Sequence, residues 1–171
     1  IYFFKNQAPL PCLGSKETSD DIKNRFHFMF EGKSHEKNTP RLRFEELEGE
    51  EGHGEFLDIP FAYCTYIQLG MKVTGFRFGD IAYLTDLQEP EDRLIPFLEG
   101  VDTLVLSALR HTPSHMHLSI DQAVDFARKA QVKKTFLTHV SHDLDYYKTN
   151  SVLPPEVRLA YDGLEILFKG V

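Results

Sequence analysis

The sequence predicts a layered α/β domain, and three observations lead to it. Residues Leu42 to Asp86 read as a succession of short strands. The residues after them alternate helix with strand, and no internal repeat or low-complexity stretch interrupts that order. Strands first, then mixed strands and helices, is the pattern of a sheet covered by helices.

The elements follow in chain order. "LPCLG" (10–14) predicts a short strand, and "SKETSDDIKNRFHFMF" (15–30) a helix. Ser15 and Thr18 are both amino-terminal cap candidates, and Ile22, Phe26, Met29 and Phe30 give an apolar stripe at helical spacing. "EGKSHEKNTP" (31–40) is polar and ends in proline, which predicts an exposed loop. His27 and His35 belong to a solvated face or to that loop, and His53 to a loop of its own.

"RLRFEEL" (41–47) alternates, "EFLDIPF" (55–61) reads as an apolar strand, and "CTYIQLGMKVTGFRF" (64–78) is rich in β-branched and aromatic residues. Gly79-Asp80 predicts a tight turn into "IAYLTD" (81–86). "PEDRLIPFLEG" is a short helix ending at Gly100, and "DTLVLSA" (102–108) a buried strand. "SIDQAVDFARKAQ" (119–131) is a helix capped by Ser119, with Asp121 in its first turn. "KKTFLTH" (133–139) is a strand, and "VRLAYDGLEILF" (157–168) predicts a closing hairpin around Asp162-Gly163.

Composition narrows the function classes. With 171 residues, 42% hydrophobic and 26% charged, the chain suits one domain with its own core. No apolar run approaches the ~20 residues of a membrane span. A net charge of −7 argues against nonspecific nucleic-acid binding, which depends on many phosphate contacts. Two cysteines, Cys12 and Cys64, make no disulfide framework, so a reducing cytoplasm is the expected setting. "IYFFKNQAPLP" has neither an initiator methionine nor the regions of a signal peptide. It reads like the middle of a protein, with an earlier segment expected upstream.

The chemistry gathers at three strand ends. "IAYLTD" ends in Asp86. The strand at 102–108 runs into "LRHTPSHMHLS", which carries Arg110, His111, His115 and His117. "FLTHVSHDLDYY" (136–147) brings His139, then His142 and Asp143. In open α/β sheets, ligands bind outside the carboxyl ends of strands. Imidazole with carboxylate suits zinc, manganese or iron. The alternatives are a helix cap at Asp86 and a plain exposed loop at 111–117.

Four stretches together, "IAYLTD", "LRHTPSHMHLSIDQA", "LTHVSHD" and "LPPEVRLAYDGLEILF", resemble the metallo-β-lactamase-fold hydrolases. Within them the chain is similar to the PhnP-like group of cyclic phosphodiesterases, over about Leu10 to Phe168. The resemblance implies an αββα sandwich, with residues 1–171 forming the carboxyl-terminal two-thirds of a single domain incomplete at its amino end. It implies that Asp86 bridges two divalent metals, Zn or Mn, that His139 is a metal ligand, and that His117 is the general acid. Arg110 is the candidate for holding a substrate phosphate, with His142 and Asp143 as supporting groups or further ligands. The implied reaction is hydrolysis of a small phosphodiester by metal-activated water.

The chain also departs from the family pattern. The H-x-H-x-D-H metal box is not among these residues and is expected upstream of Ile1. After the "IP" strand, where a ligand histidine usually stands, are Tyr63 and Cys64. A histidine that many relatives carry three residues before the acid is Ser114 here. Asp86 and His139 alone fall short of the three protein ligands of a catalytic zinc, so the 171 residues are expected to hold metal weakly or not at all. A metal-free binding or scaffold module and a tRNA-end-processing relative are the alternative readings. An uncovered sheet edge or face is expected to favour a homodimer or association with the upstream segment.

Overall fold

The computed structural model describes residues 8–30 and 41–169. It divides into two compact units, residues 1–50 and 51–171. In the first, β1 (Leu10–Gly14) pairs in parallel with β2 (Leu42–Glu46), in a register from Leu10 opposite Leu42 to Gly14 opposite Glu46. Helix α1 (Lys16–Arg25) follows β1, and of the two cap candidates Ser15 is the one used: its side chain accepts from the Thr18 N–H at 3.2 Å. The helix was expected to run through Phe30 but stops at Arg25. Phe26 leaves helical geometry, with φ −121° and ψ 41°, and a 3-10 turn at His27–Met29 follows. Phe26 is exposed, and of the stripe only Ile22, Met29 and Phe30 are partly buried, with Phe30 against Phe44, which the chain reaches beyond the helix. The loop predicted at 31–40, with His35, lies outside the described residues.

The second unit holds a seven-stranded sheet in the order β3 to β9, the same as in the chain. Strands β3 (Glu51–Phe56), β4 (Ile59–Gln68), β5 (Met71–Phe78) and β6 (Ile81–Leu84) form an antiparallel meander. Strands β7 (Thr103–Ser107), β8 (Lys134–Thr138) and β9 (Val157–Leu159) then extend it in parallel from β6. The tight turn expected at Gly79-Asp80 is present, with Gly79 at φ 57° and Phe78 opposite Ile81.

Two sequence expectations are corrected here. "EFLDIPF" is not one strand: Leu57 and Asp58 take φ 52° and 61° and turn the chain between β3 and β4. Such a turn normally carries Asn-Gly or Asp-Gly, so Leu-Asp hid it. The closing hairpin also does not form. A turn is present, with Leu164 N–H bonded to the Tyr161 carbonyl at 3.0 Å, but residues 164–168 make no strand. The outward backbone groups of β9 are already taken. Val157 N–H bonds the Pro154 carbonyl, Asn150 Oδ1 accepts from Leu159 N–H, and the Arg158 guanidinium donates to the Val157 carbonyl. A returning strand would find no free ladder.

Helices α2 (Leu94–Phe97), α3 (Ile120–Lys129) and α4 (Tyr146–Val152) complete the unit. A reciprocal capping box starts α3, with Ser119 and Gln122 each accepting from the other's backbone N–H. Asp145 caps α4 by accepting from Lys148 N–H at 2.8 Å. That helix escaped the sequence reading because "YYKTNSV" is aromatic and β-branched, and Thr149 is its buried residue.

The core lies on one face of the sheet. Tyr66, Leu84, Leu104, Leu106 and Leu137 are fully buried there, in one cluster with Leu94 and Leu98 around α2 and Ala123 and Phe126 on α3. Gly75 on β5 is what admits Tyr66 and Leu84 together, since a Cβ at that position would lie 2.2 Å from Leu84 Cδ2 and 3.3 Å from Tyr66 Cε1. Gly75→Ala should therefore destabilise the chain by about 1–3 kcal/mol in urea unfolding. An unchanged midpoint would mean that Leu84 has room to move.

Candidate metal centre

Parallel pairing sets Leu84 beside Leu106 and Ser107 beside Thr138, so β6, β7 and β8 end at one level. The loops leaving these three ends bring Asp86, His117 and His139 together. Asp86 Oδ1 lies 3.8 Å from His117 Nδ1 and 3.7 Å from His139 Nε2, and the two imidazole rings are 4.5 Å apart, centre to centre. One donor atom from each residue falls within 4.8 Å of the others. Asp86 and His139 have left-handed backbones, φ 54° and 59°. Non-glycine residues take that conformation at a cost of order 1–3 kcal/mol, and it concentrates at functional sites.

Backbone hydrogen bonds tie the loops to one another. Ser107, the buried last residue of β7, accepts from Leu87 N–H through its hydroxyl at 3.1 Å. Leu118 N–H reaches the Leu87 carbonyl at 3.0 Å, Leu109 N–H the Leu118 carbonyl at 2.9 Å, and Ser141 N–H the Leu109 carbonyl at 2.8 Å. Each candidate ligand thus sits next to a pinned residue. Ser114 gathers the turn before His117, its hydroxyl accepting from Met116 N–H at 3.1 Å and His117 N–H at 3.2 Å.

The electrostatics fit a cation. His117 is largely buried, and its Nδ1 has no hydrogen-bond partner among the described residues. Burial, and next the neighbouring His139, lower its pKa from the ordinary 6.5, against an opposing pull from Asp86. At neutral pH that nitrogen keeps a free lone pair or a proton facing the carboxylate. Separations of 3.7 and 3.8 Å are too long for hydrogen bonds. Two donors at about 2.1 Å from a tetrahedral ion are themselves about 3.4 Å apart, so closing by a few tenths of an ångström would seat one. The residues present fit a divalent metal.

The other candidates disperse. Arg110 is exposed, and its backbone bridges to Ser119. His142 is exposed and pairs with Asp143 at 3.3 Å, while Asp143 accepts from the Ser141 hydroxyl at 2.9 Å, both contacts within one loop. His111 Nε2 lies 3.5 Å from Thr149 Oγ1, and His115 is exposed. Cys64 is in the core, and Tyr63 is buried over Gly52, where a Cβ would meet its Oη at 2.9 Å. His53 is on β3 rather than in a loop, and His27 is in the 3-10 turn. Ser107 went unnoticed in the sequence, although a hydroxyl ending the apolar run "TLVLS" is a signal for it.

Residues 4–140 match the model of the beta-lactamase superfamily domain, and the chain belongs to that family. Its likeness within the family runs to the PhnP group. A crystal structure of a diphosphatase from the PhnP family superposes with a TM-score of 0.79 at 33% identity, over 92% of this chain and 57% of that one. Human tRNase Z, short form, superposes with a TM-score of 0.66 at 17% identity, over 93% of this chain and 66% of that one. An octanoyltransferase of Porphyromonas gingivalis (strain ATCC BAA-308 / W83) is 27% identical over 166 residues, which are 95% of this chain and 33% of that protein. The chain thus spans a third to two-thirds of these proteins. The α/β architecture described above is that of the metallo-β-lactamase fold. Among the described residues no helix is long and apolar enough to cross a membrane.

His117 supplies a pH test of this geometry. Its folded pKa is depressed, so the stability it contributes is complete above the unfolded value of 6.5 and fades as pH falls through the lower folded one. Between neutral and mildly acidic pH the metal-free chain should lose more stability than the His117→Gln variant. Equal losses would place His117 in solvent.

Proposed function

We propose that this chain carries part of the active centre of a metal-dependent hydrolase acting on phosphodiester or diphosphate bonds. The observation that carries the reading is the convergence of Asp86, His117 and His139 from three strand ends, with gaps suited to an ion. The PhnP-family relative is a diphosphatase, which supports the bond type. Octanoyl transfer is not carried over. The octanoyltransferase is 27% identical and is matched over only 33% of its length.

In this reading Asp86 and His139 would hold divalent metal, Zn or Mn, with Asp86 serving both ions of the complete protein. Bound there, a divalent ion acts as a Lewis acid and lowers the pKa of a coordinated water. His117 stands beside the pair on the more buried side and gives its proton to the leaving oxygen. Asp86 Oδ1, facing His117 Nδ1, favours the protonated imidazole and opposes the effect of burial. Arg110, exposed and one residue from the loop bond at Leu109, is the proposed holder of a phosphate oxygen. Asp86 and His139 are two donors where a catalytic zinc takes three, so the reading requires further donors besides them.

Three substitutions separate the roles, assayed on a simple aryl phosphodiester with added zinc or manganese in the full-length protein. Asp86→Asn and His139→Gln should lower metal affinity and turnover together. His117→Gln should keep the metal and lose roughly 10²–10⁴-fold in turnover, the usual worth of a proton donor. Loss of metal in His117→Gln would make it a ligand instead. Full activity in Asp86→Asn would end the hydrolase reading.

A further inference from the structure

Strand β4 crosses beneath the loops that carry the candidate site, and two of its side chains reach them. Tyr66 and Gln68 are two residues apart, hence on one face of the strand, and both are buried. The Tyr66 hydroxyl donates to the carbonyl of Thr85, and the Gln68 amide donates to the carbonyl of Met116. Thr85 directly precedes Asp86, and Met116 directly precedes His117. Each grip therefore falls one peptide unit before a residue of the cluster.

We infer that Tyr66 and Gln68 are positioning residues, which fix the directions of Asp86 and His117 independently of each other. The inference rests on the hydrolase reading for the use of those directions, though not for the grips themselves. Asp86 has a left-handed backbone, so the peptide before it must be held in an orientation that the chain would otherwise avoid. A phenol pinned to the Thr85 carbonyl does this. Burial, and then the charge of Asp86, raise the pKa of Tyr66, which keeps the hydroxyl protonated and able to donate.

Gln68 makes the complementary case. Its Oε1 is buried without a partner, so the amide bears an unsatisfied acceptor while its NH₂ serves Met116. The opposite amide orientation would set two oxygens against each other. An apolar residue would fill the same space with no orphaned atom. What Gln offers in exchange is a donor that reaches a carbonyl 48 residues away in sequence. The turn around Ser114 shapes the loop locally, while Gln68 ties that loop to the sheet.

The two grips predict separable effects, read on the full-length protein without catalysis. Tyr66→Phe keeps the ring and removes the donor. It should weaken Co(II) binding, followed by its visible absorption, by roughly 10- to 100-fold, the usual effect of losing a group that orients a metal ligand. The nuclear Overhauser contact between the His117 and His139 rings should survive in that variant. Gln68→Met should do the reverse, abolishing the ring contact in the metal-free chain and leaving Co(II) affinity unchanged. Thermal melting by circular dichroism checks that each variant folds. Should Gln68→Met not fold, Gln68→Glu takes its place, with the same volume and an oxygen turned on the Met116 carbonyl. If both variants match the wild type in both readouts while Co(II) binds, the positioning inference falls and the hydrolase reading stands. If the full-length wild type binds no Co(II), the hydrolase reading falls, and the ring contact alone decides the role of Gln68.

Discussion

The parallel pairing of β6, β7 and β8 is the constraint on which the rest of this structure depends. Parallel strands run the same way, so their carboxyl ends share one side of the sheet, and each must return through a crossover. Here the register leaves Leu84, Ser107 and Thr138 as the last paired residues, and the three loops start within one strand spacing of their neighbours. Ser107 then binds Leu87 N–H, and Leu118 binds back to Leu87. The antiparallel strands before β6 contribute differently. They supply a broad apolar floor, and β4 in particular reaches from it to the loops.

Local structure around the cluster runs against stability in three ways. Asp86 and His139 hold left-handed backbones. His117 Nδ1 is buried without a partner, and its ring lies against that of His139, whose charge would repel its own. Elsewhere in the second unit Ser119 and Gln122 cap each other and Gly75 makes room where Tyr66 and Leu84 meet, although Leu57, Asp58, Leu69 and Gln131 also take left-handed backbones. At the cluster, left-handed backbone, a buried nitrogen and facing imidazoles coincide, and function is the usual reason for such a coincidence.

How much of this was legible in the sequence depended on how local each cause was. An apolar strand ending in a polar ligand type is a local pattern, so "IAYLTD" and "FLTH" gave Asp86 and His139 directly. The cap at Ser119 and the turn at Gly79-Asp80 were equally local. The Leu57-Asp58 turn was not, because a leucine at φ 52° is held there by the β3–β4 ladder and not by its own preference. The predicted carboxyl-terminal hairpin failed for a similar reason: Asn150 and Arg158 occupy the edge that it needed. Gln68 carries no sequence signal at all. A glutamine in a strand says nothing of the carbonyl it will meet until the sheet is assembled.

Tyr63 and Cys64 depart from the family pattern where a ligand histidine is expected, and this was the main sequence argument for a scaffold without metal. Packing now accounts for both. Tyr63 covers Gly52 on the facing strand, and Cys64 points to the opposite face, into the core cluster. Neither belongs to the group formed by Asp86, His117 and His139, so neither closes it. What a scaffold does not explain is that group itself. Its members stand 3.7–3.8 Å from a shared carboxylate oxygen, too far for hydrogen bonds. A chain selected for binding alone would gain by letting the loops relax, so that the carboxylate and imidazoles bonded one another or turned to water. Held apart by pinned backbone, Asp86 and His139 leave a gap that fits a cation, with His117 beside them.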